Sequence, residues 1–226
     1  MSEEIEVVFL GINPIGISVY EWLCDREAVS VSAVVSRKSQ LPLLERLEPD
    51  YAVSCGFGHV VPERYLDAPR EAFLNLHLSY LPHNRGVYPN LWNVVEDIPV
   101  GVTIHHMAPR VDTGDILVQD TVEATFSDTA QSVTELTGRK LLALFAEAWP
   151  EIVSGRLSGT PQDPQEGSFH HSSEVTQLQT LAPDAEVRVK EFLDRLRALD
   201  HPAAGGAEIT VDGEQYTVEV DITRQS

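Results

Sequence analysis

Lysine is nearly missing from this chain of 226 residues: Lys38, Lys140 and Lys190 are the full set. Counting arginine, 16 basic side chains stand against 35 acidic ones, a net charge of −19. A field of that sign repels phosphate backbones and excludes broad nucleic-acid binding. Abundant Asp and Glu with so little Lys suits a salt-rich cytoplasm, where screening relieves self-repulsion. Cysteine is scarce too. Cys24 and Cys55 lie far apart in sequence and read as buried thiols rather than a disulfide, as expected of a cytoplasmic protein. No run of 18 apolar residues occurs, so no membrane-spanning helix is expected. The opening Met1-Ser2-Glu3-Glu4 is acidic where a signal peptide would be basic. Metal-ligand spacings are missing as well, with no H-x-x-x-H and no Cys cluster, so no metal is expected.

What is present is enough for a full core, with 42% of residues apolar. Residues 5–10 (IEVVFL) are a buried-strand candidate, followed by a glycine turn at 11–16 and a helical pattern through 18–23. That turn lacks the central glycine of G-x-G-x-x-G and carries Pro14, so it reads as a tight strand-to-helix turn without a dinucleotide. Further strands are expected at 29–36, 51–54, 73–77, 100–107 and 116–122, with helices at 41–47, 62–66 and 89–95. The longest helix should span 129–148, capped by Ser127 or Asp128, with Pro150 beginning its exit. This alternation predicts an α/β fold, a Rossmann-like doubly wound sheet, over residues 1–153. Residues 154–183, rich in polar and turn-forming residues, read as a linker or loop. Residues 184–226 read as a small C-terminal module: a helix at 186–199, a turn at Pro202 to Gly206, and a β-hairpin around Asp212-Gly213. A helix and hairpin cannot form a core alone and must pack on the main domain or on another subunit.

The chemistry concentrates between residues 74 and 117. Asn75 and His77 are two apart on an expected strand, so both side chains share one face. Asn can donate to a developing oxyanion, His can take a proton near neutral pH, and Asp112 in the turn beyond could hold a His in one tautomer. Residue types alone therefore outline acyl transfer to an amine. His105 and His106 are adjacent on a strand and point to opposite faces, so at most one of them joins a site with Asp112. The glycine-bearing run 55–62 follows a strand, where backbone can approach a ligand closely. Arg85 is a cation, and Tyr80, Tyr88 and Trp92 are aromatic, within the same stretch.

Three motifs carry a resemblance. They are N-L-H-x-S-Y-L-P-x-N-R-G at 75–86, G-V-T-I-H at 101–105, and V-D-T-G-D-I at 111–116. In that order they resemble the formyltransferases that use N10-formyltetrahydrofolate to formylate glycinamide ribonucleotide, methionyl-tRNA or amino sugars. The run 80–86 with Pro89-Asn90-Leu91-Trp92, and the tail with Gly167-Ser168-Phe169-His170, are most similar to the enzymes acting on nucleotide-linked amino sugars. The chain departs from those relatives at Ala203-Ala204, where they often carry an aromatic residue. The resemblance implies a formyltransferase fold and direct formyl transfer catalysed by Asn75, His77 and Asp112. It implies folate held by Gly56, Phe57, His59, Val60, Val61 and Asp112, and a nucleotide-linked amino sugar held by Tyr80, Arg85, Tyr88, Trp92 and His170. It also implies a homodimer built on the C-terminal module, without nucleic acid or membrane as partner. Formylation of glycinamide ribonucleotide, hydrolysis of formyltetrahydrofolate, and folate or nucleotide binding on a retired fold are the alternatives.

Overall fold

In a computed structural model, which describes residues 4–163, 165–201 and 204–225, six strands form one sheet. Met1 to Glu3, and Pro202 and Ala203 of the expected turn, lie outside the described residues. The sheet runs β2 (Val29–Val35), β1 (Ile5–Leu10), β3 (Tyr51–Cys55), β4 (Ala72–His77), β6 (Gly101–His106), β7 (Ile116–Thr121). The first four are mutually parallel; β6 and β7 join antiparallel. Chain direction across the sheet reverses between β1 and β3, which makes the C-terminal ends of those strands the expected ligand edge.

Alternating side chains cover both faces. Val7 and Phe9 pack with Leu74, Leu76, Val102 and Ile104 beneath α1 (Pro14–Cys24) and α4 (Ala130–Val153). Val8 and Leu10 turn the other way, towards Leu41, Leu44, Phe57 and Tyr65, beside α2 (Pro42–Leu47). A strand buried on both faces reads as the unbroken apolar run seen at 5–10.

Local chemistry moved several expected boundaries. Thr129, not Ser127 or Asp128, caps α4, its hydroxyl accepting from Ser132 N at 3.4 Å. Asp128 instead accepts from the Ser132 hydroxyl at 2.9 Å. Pro150 does not end α4, which continues to Val153. Proline removes one donor and crowds the preceding turn, but Trp149 and Ile152 on either side are buried and hold the last turn on the sheet. The helix expected at 62–66 is only a 3₁₀ turn over Glu63–Tyr65. Cys24 is exposed at the end of α1, against the expectation of two buried thiols; both cysteines are free.

Residues 154–183 are not a plain loop. They contain β8 (Phe169–His170), α5 (Ser172–Gln179) and β9 (Thr180–Leu181). Their composition is polar, yet Val175 and Leu181 are buried against α3 (Pro89–Glu96) and α6 (Val189–Leu199) and anchor the second half of the stretch. β8 pairs in parallel with the two-residue strand β5 (Arg85–Gly86), which ties this segment to the middle of the chain. β10 (Ala207–Val211) and β11 (Glu214–Val218) form the hairpin, with β9 alongside β10.

The C-terminal module docks on α3 and the start of α4 through Leu196, Ala198 and Leu199. Asp194 is buried there, bonded to Lys190 at 2.7 Å and Arg197 at 2.6 Å. Arg197 reaches on to Asp128 O at 2.9 Å. A buried carboxylate is tolerated only when paired this fully. No helix among the described residues is long and apolar enough to cross a membrane.

Phe145 has no solvent exposure and meets Trp22 and Trp149 at ring-centroid distances of 5.4 and 5.3 Å. Phe145→Ala should therefore lower the unfolding free energy by about 3–5 kcal/mol in urea titrations. A loss below about 1 kcal/mol would place the core elsewhere.

Candidate active site

The antiparallel pairing of β4 with β6 sets the site. Asn75 lies opposite His105 and His77 opposite Thr103, so all four side chains point to one face. The loop after β6 folds back over that face and delivers Asp112. Asp112 sits at φ 52°, in the left-handed region that costs most residues energy. The turn closes so tightly that a Cβ at Gly114 would come within 1.8 Å of His106 O, so only glycine fits.

Asn75 Nδ2 donates to Asp112 Oδ1 at 3.1 Å and lies 3.1 Å from His105 Nε2. His105 Nδ1 lies 2.7 Å from His106 O. A carbonyl can only accept, so the His105 proton sits on Nδ1 and Nε2 accepts from Asn75. The same reasoning applies to His77, whose Nε2 lies 3.1 Å from Asn84 O. His77 Nε2 is therefore the donor, and Nδ1 presents its lone pair 3.7 Å from Asp112 Oδ2. A proton arriving at Nδ1 would face that carboxylate directly.

The second oxygen of Asp112 also accepts from Gly86 N at 2.8 Å. Burial raises the Asp112 carboxyl pKa. The positive charge His77 carries as an imidazolium, the hydrogen bond and charge of His105 in that same form, and the Gly86 N–H outweigh it, and hold the group well below the usual carboxylate range. Asp112 is thus an anion throughout the physiological range. His105 is the member of the adjacent pair that joins it. His106 faces away, its pKa lowered by burial.

Asn84 was visible in the sequence only as part of a motif. It is buried at φ 53°, and its amide donates to Asn93 Oδ1 at 2.7 Å and Pro89 O at 3.2 Å. Asn93 in turn donates to Asn90, which donates to Thr137 at 3.0 Å. This polar chain from α4 through α3 fixes the carbonyl that holds His77. Asparagines at 84, 90 and 93 were the available signal.

Several expected substrate contacts are placed differently. Arg85 is buried, and its guanidinium donates to Gln162 Oε1 at 2.9 and 3.2 Å, Glu166 O at 3.2 Å and Asp163 O at 3.3 Å. It is committed within the protein and is not a free cation for a diphosphate. Trp92 is also buried, stacked on His170 with ring centroids 4.0 Å apart. His170 sits between Glu174 Oε2 at 3.0 Å and Glu96 Oε1 at 3.2 Å. Each ring covers one face of the other, and both side chains are buried. Tyr88 is half-buried against α3 and α6, its ring 6.1 Å from that of His201. Tyr80 is half-buried beside Gly101, where a Cβ would come within 3.0 Å of it.

The run 56–61 leaves β3 at the ligand edge. Phe57 and Val61 are buried anchors in the core, whereas Gly56, His59 and Val60 are exposed. A Cβ added at Gly58 would meet nothing within 4 Å. The run is thus pinned at two points with open backbone between them, which suits an apolar ring with a hydrogen-bonding edge. Gly11 packs so closely on this edge that a Cβ would lie 2.0 Å from Cys55 O. Burial pushes the Cys55 thiol up to about 12, so it is neither a nucleophile nor a ligand at neutral pH. Among the described residues no group of three or more His, Cys, Asp or Glu could hold a metal ion.

An amide, two imidazoles and a locked carboxylate thus meet at the ligand edge of an open α/β sheet. Residues 24–147 match the model of the formyl transferase family and residues 174–224 that of the N-formyltransferase dimerization C-terminal domain. The first match covers more than half of the chain, and the chain belongs to the formyl transferase family. A methionyl-tRNA formyltransferase of Halalkalibacterium halodurans is 34% identical over 133 residues, 58% of this chain and 42% of that protein. The chain thus spans less than half the length of such curated relatives. The formyltransferase PseJ from Anoxybacillus kamchatkensis, solved with UDP-4,6-dideoxy-4-formamido-L-AltNAc and tetrahydrofolate, is 31% identical. It superposes with a TM-score of 0.65 over 76% of this chain and 88% of its own. A sugar N-formyltransferase from a Shewanella species has the same fold at 20% identity, TM-score 0.86, over 99% of this chain and 100% of its own.

Two outcomes test this geometry. The Asp112 pKa lies below its ordinary 3.8, so its stabilisation is present above that value and is lost as pH falls through the lower native-state one. The stability of the protein relative to Asp112→Asn should therefore shrink as pH drops from about 5 towards about 2, measured by denaturant titration at each pH. A difference that does not change with pH would contradict the locked anion. Separately, a thiol reagent at about pH 8 should label Cys24 rapidly in the native protein and Cys55 only after unfolding, read by peptide mass.

Proposed function

We propose that this protein transfers a formyl group from N10-formyltetrahydrofolate to the amine of a nucleotide-linked amino sugar. The observation that carries the formyl-transfer half is the Asn75, His77, Asp112 cluster inside a formyl transferase match. What supports the sugar acceptor is the C-terminal match at 174–224, together with end-to-end similarity in length and fold to a sugar N-formyltransferase. PseJ, solved with a UDP-linked formamido sugar and tetrahydrofolate, supports the same pairing of substrates.

In this reading the amine nitrogen bonds to the formyl carbon, and the bond from that carbon to the folate nitrogen breaks. Asn75 turns one of its two N–H donors, held by Asp112 Oδ1 and His105 Nε2 in this structure, to the formyl oxygen as negative charge develops there. His77 accepts the amine proton at Nδ1, and Asp112 stabilises the imidazolium that forms. The proton then passes to the departing folate nitrogen. The Cys55 thiol, held protonated by burial, is not the nucleophile of a covalent formyl-enzyme. The run 56–61 receives the pterin, with Gly56, His59 and Val60 at the surface for contact. Two copies associate through the C-terminal module, where Val211 and Tyr216 of the hairpin are exposed.

The methionyl-tRNA formyltransferases among the sequence relatives favour a tRNA acceptor as a second reading. A net charge of −19 opposes it, since each tRNA phosphate would approach against that field.

Asn75→Ala should cost about 10²–10³ in kcat and His77→Ala about 10²–10⁴, with folate binding retained by titration. Near-normal turnover of the His77 variant would sink the mechanism. A panel of nucleotide-linked 3-amino and 4-amino sugars, glycinamide ribonucleotide and charged initiator tRNA, assayed for formylated product, decides the acceptor. Product from the tRNA or the ribonucleotide alone would overturn the sugar reading.

A further inference from the structure

The group that aligns Asp112 from behind comes from the stretch that reads as a linker. Gln162 donates through Nε2 to Asp112 O at 3.0 Å and Gly114 O at 2.7 Å, gripping both sides of the left-handed turn. Its Oε1 accepts both bonds from the Arg85 guanidinium, at 2.9 and 3.2 Å. Arg85 sits between Asn84, whose carbonyl holds His77, and Gly86, whose N–H holds the Asp112 carboxylate at 2.8 Å. The bonds therefore close a ring: Asp112 carboxylate, Gly86, Arg85, Gln162, and back to the Asp112 carbonyl.

Among the described residues of this segment, apolar burial does not hold it in place. Pro161, Asp163, Gln165 and Glu166 around Gln162 are exposed. Thr160 exchanges two hydrogen bonds with Ile116 at 2.8 Å each, and Ser168 bonds Asn84, but these pin only the two ends. The middle depends on the Arg85 and Gln162 bonds. A buried guanidinium satisfied by one side-chain oxygen and two main-chain carbonyls is costly to assemble, and a purely structural strap at the surface has no need of one.

We propose that Arg85 and Gln162 are positioning residues for formyl transfer: they fix the Asp112 turn relative to His77 by tying it to residues 84–86. This rests on the formyl-transfer reading above. Neither residue touches the reacting atoms. Their effect is to hold the Asp112 carboxylate at its distance from His77 Nδ1 while the left-handed turn would otherwise relax. Misplacement of that order in a catalytic group reduces turnover without weakening substrate binding.

The test uses the full chain with Gln162→Leu, Gln162→Glu and Arg85→Lys. The leucine variant keeps volume and loses every hydrogen bond; the glutamate variant keeps the acceptor for Arg85 and loses the donors to the two carbonyls. Both Gln162 variants should lower kcat about ten- to hundred-fold with KM for donor and acceptor within about twofold. The pH profile of stability should change as well, the contribution of Asp112 fading at a higher pH, because a displaced carboxylate is held less far below its ordinary range. Hydrogen exchange at the amides of 112–116 should speed up while amides in the core strands keep their protection. Arg156→Ala, whose partner Glu151 is an exposed neighbour on α4, should change none of these. Unchanged kcat, pH profile and exchange in Gln162→Leu would overturn the positioning role. So would a loss of kcat that only tracks a general drop in protection across the core. If the unaltered protein formylates no acceptor, the functional reading fails, and exchange at 112–116 alone decides whether Gln162 fixes the turn.

Discussion

One carboxylate that must stay charged out of water organises the centre of this molecule. Burial opposes the Asp112 anion, and the protein answers with a main-chain N–H, an amide, and two imidazoles that attract it once protonated. Each of those partners needs its own support. His105 is oriented by a neighbouring carbonyl, His77 by Asn84, and Asn84 by the amide chain that runs through α3 to α4. Gly86 can reach the carboxylate because β5 is pinned to β8. Remove the need to keep Asp112 charged and most of these polar contacts lose their purpose.

The sheet serves that centre by geometry. Four parallel strands bring the glycine runs after β1 and β3 to one edge. The switch to antiparallel pairing at β4 and β6 then sets Asn75 against His105 on the same face. A register slip of one residue would send both to the opposite face, where Leu74 and Ile104 now pack in the core.

Much of this was legible in the sequence. The apolar run at 5–10 and the period-two spacing of Asn75 and His77 carry their meaning locally. So did the joint order of the three motifs, which named the family before any geometry did. What was not legible depended on partners distant in the chain. Arg85 looks like a free cation in a loop, and its commitment to Gln162 spans 77 positions. Trp92 and His170 look like two binding residues until they are seen stacked on each other. The polar stretch 154–183 offers no periodicity, because side-chain and main-chain hydrogen bonds hold its first half and a few buried residues its second. Pro150 failed as a helix stop because burial on both sides outweighed its local cost.

The closure of β5 on β8 joins positions 84 residues apart, bridging the two halves of the chain. Contacts of that separation form late, since the intervening chain must already be placed. The sheet can therefore collapse with its motifs all present while the centre is still unassembled. Competence arrives only when the last third of the chain has docked. A chain interrupted before β8 would carry every motif residue and still lack the strand that brings Gly86 to the Asp112 carboxylate.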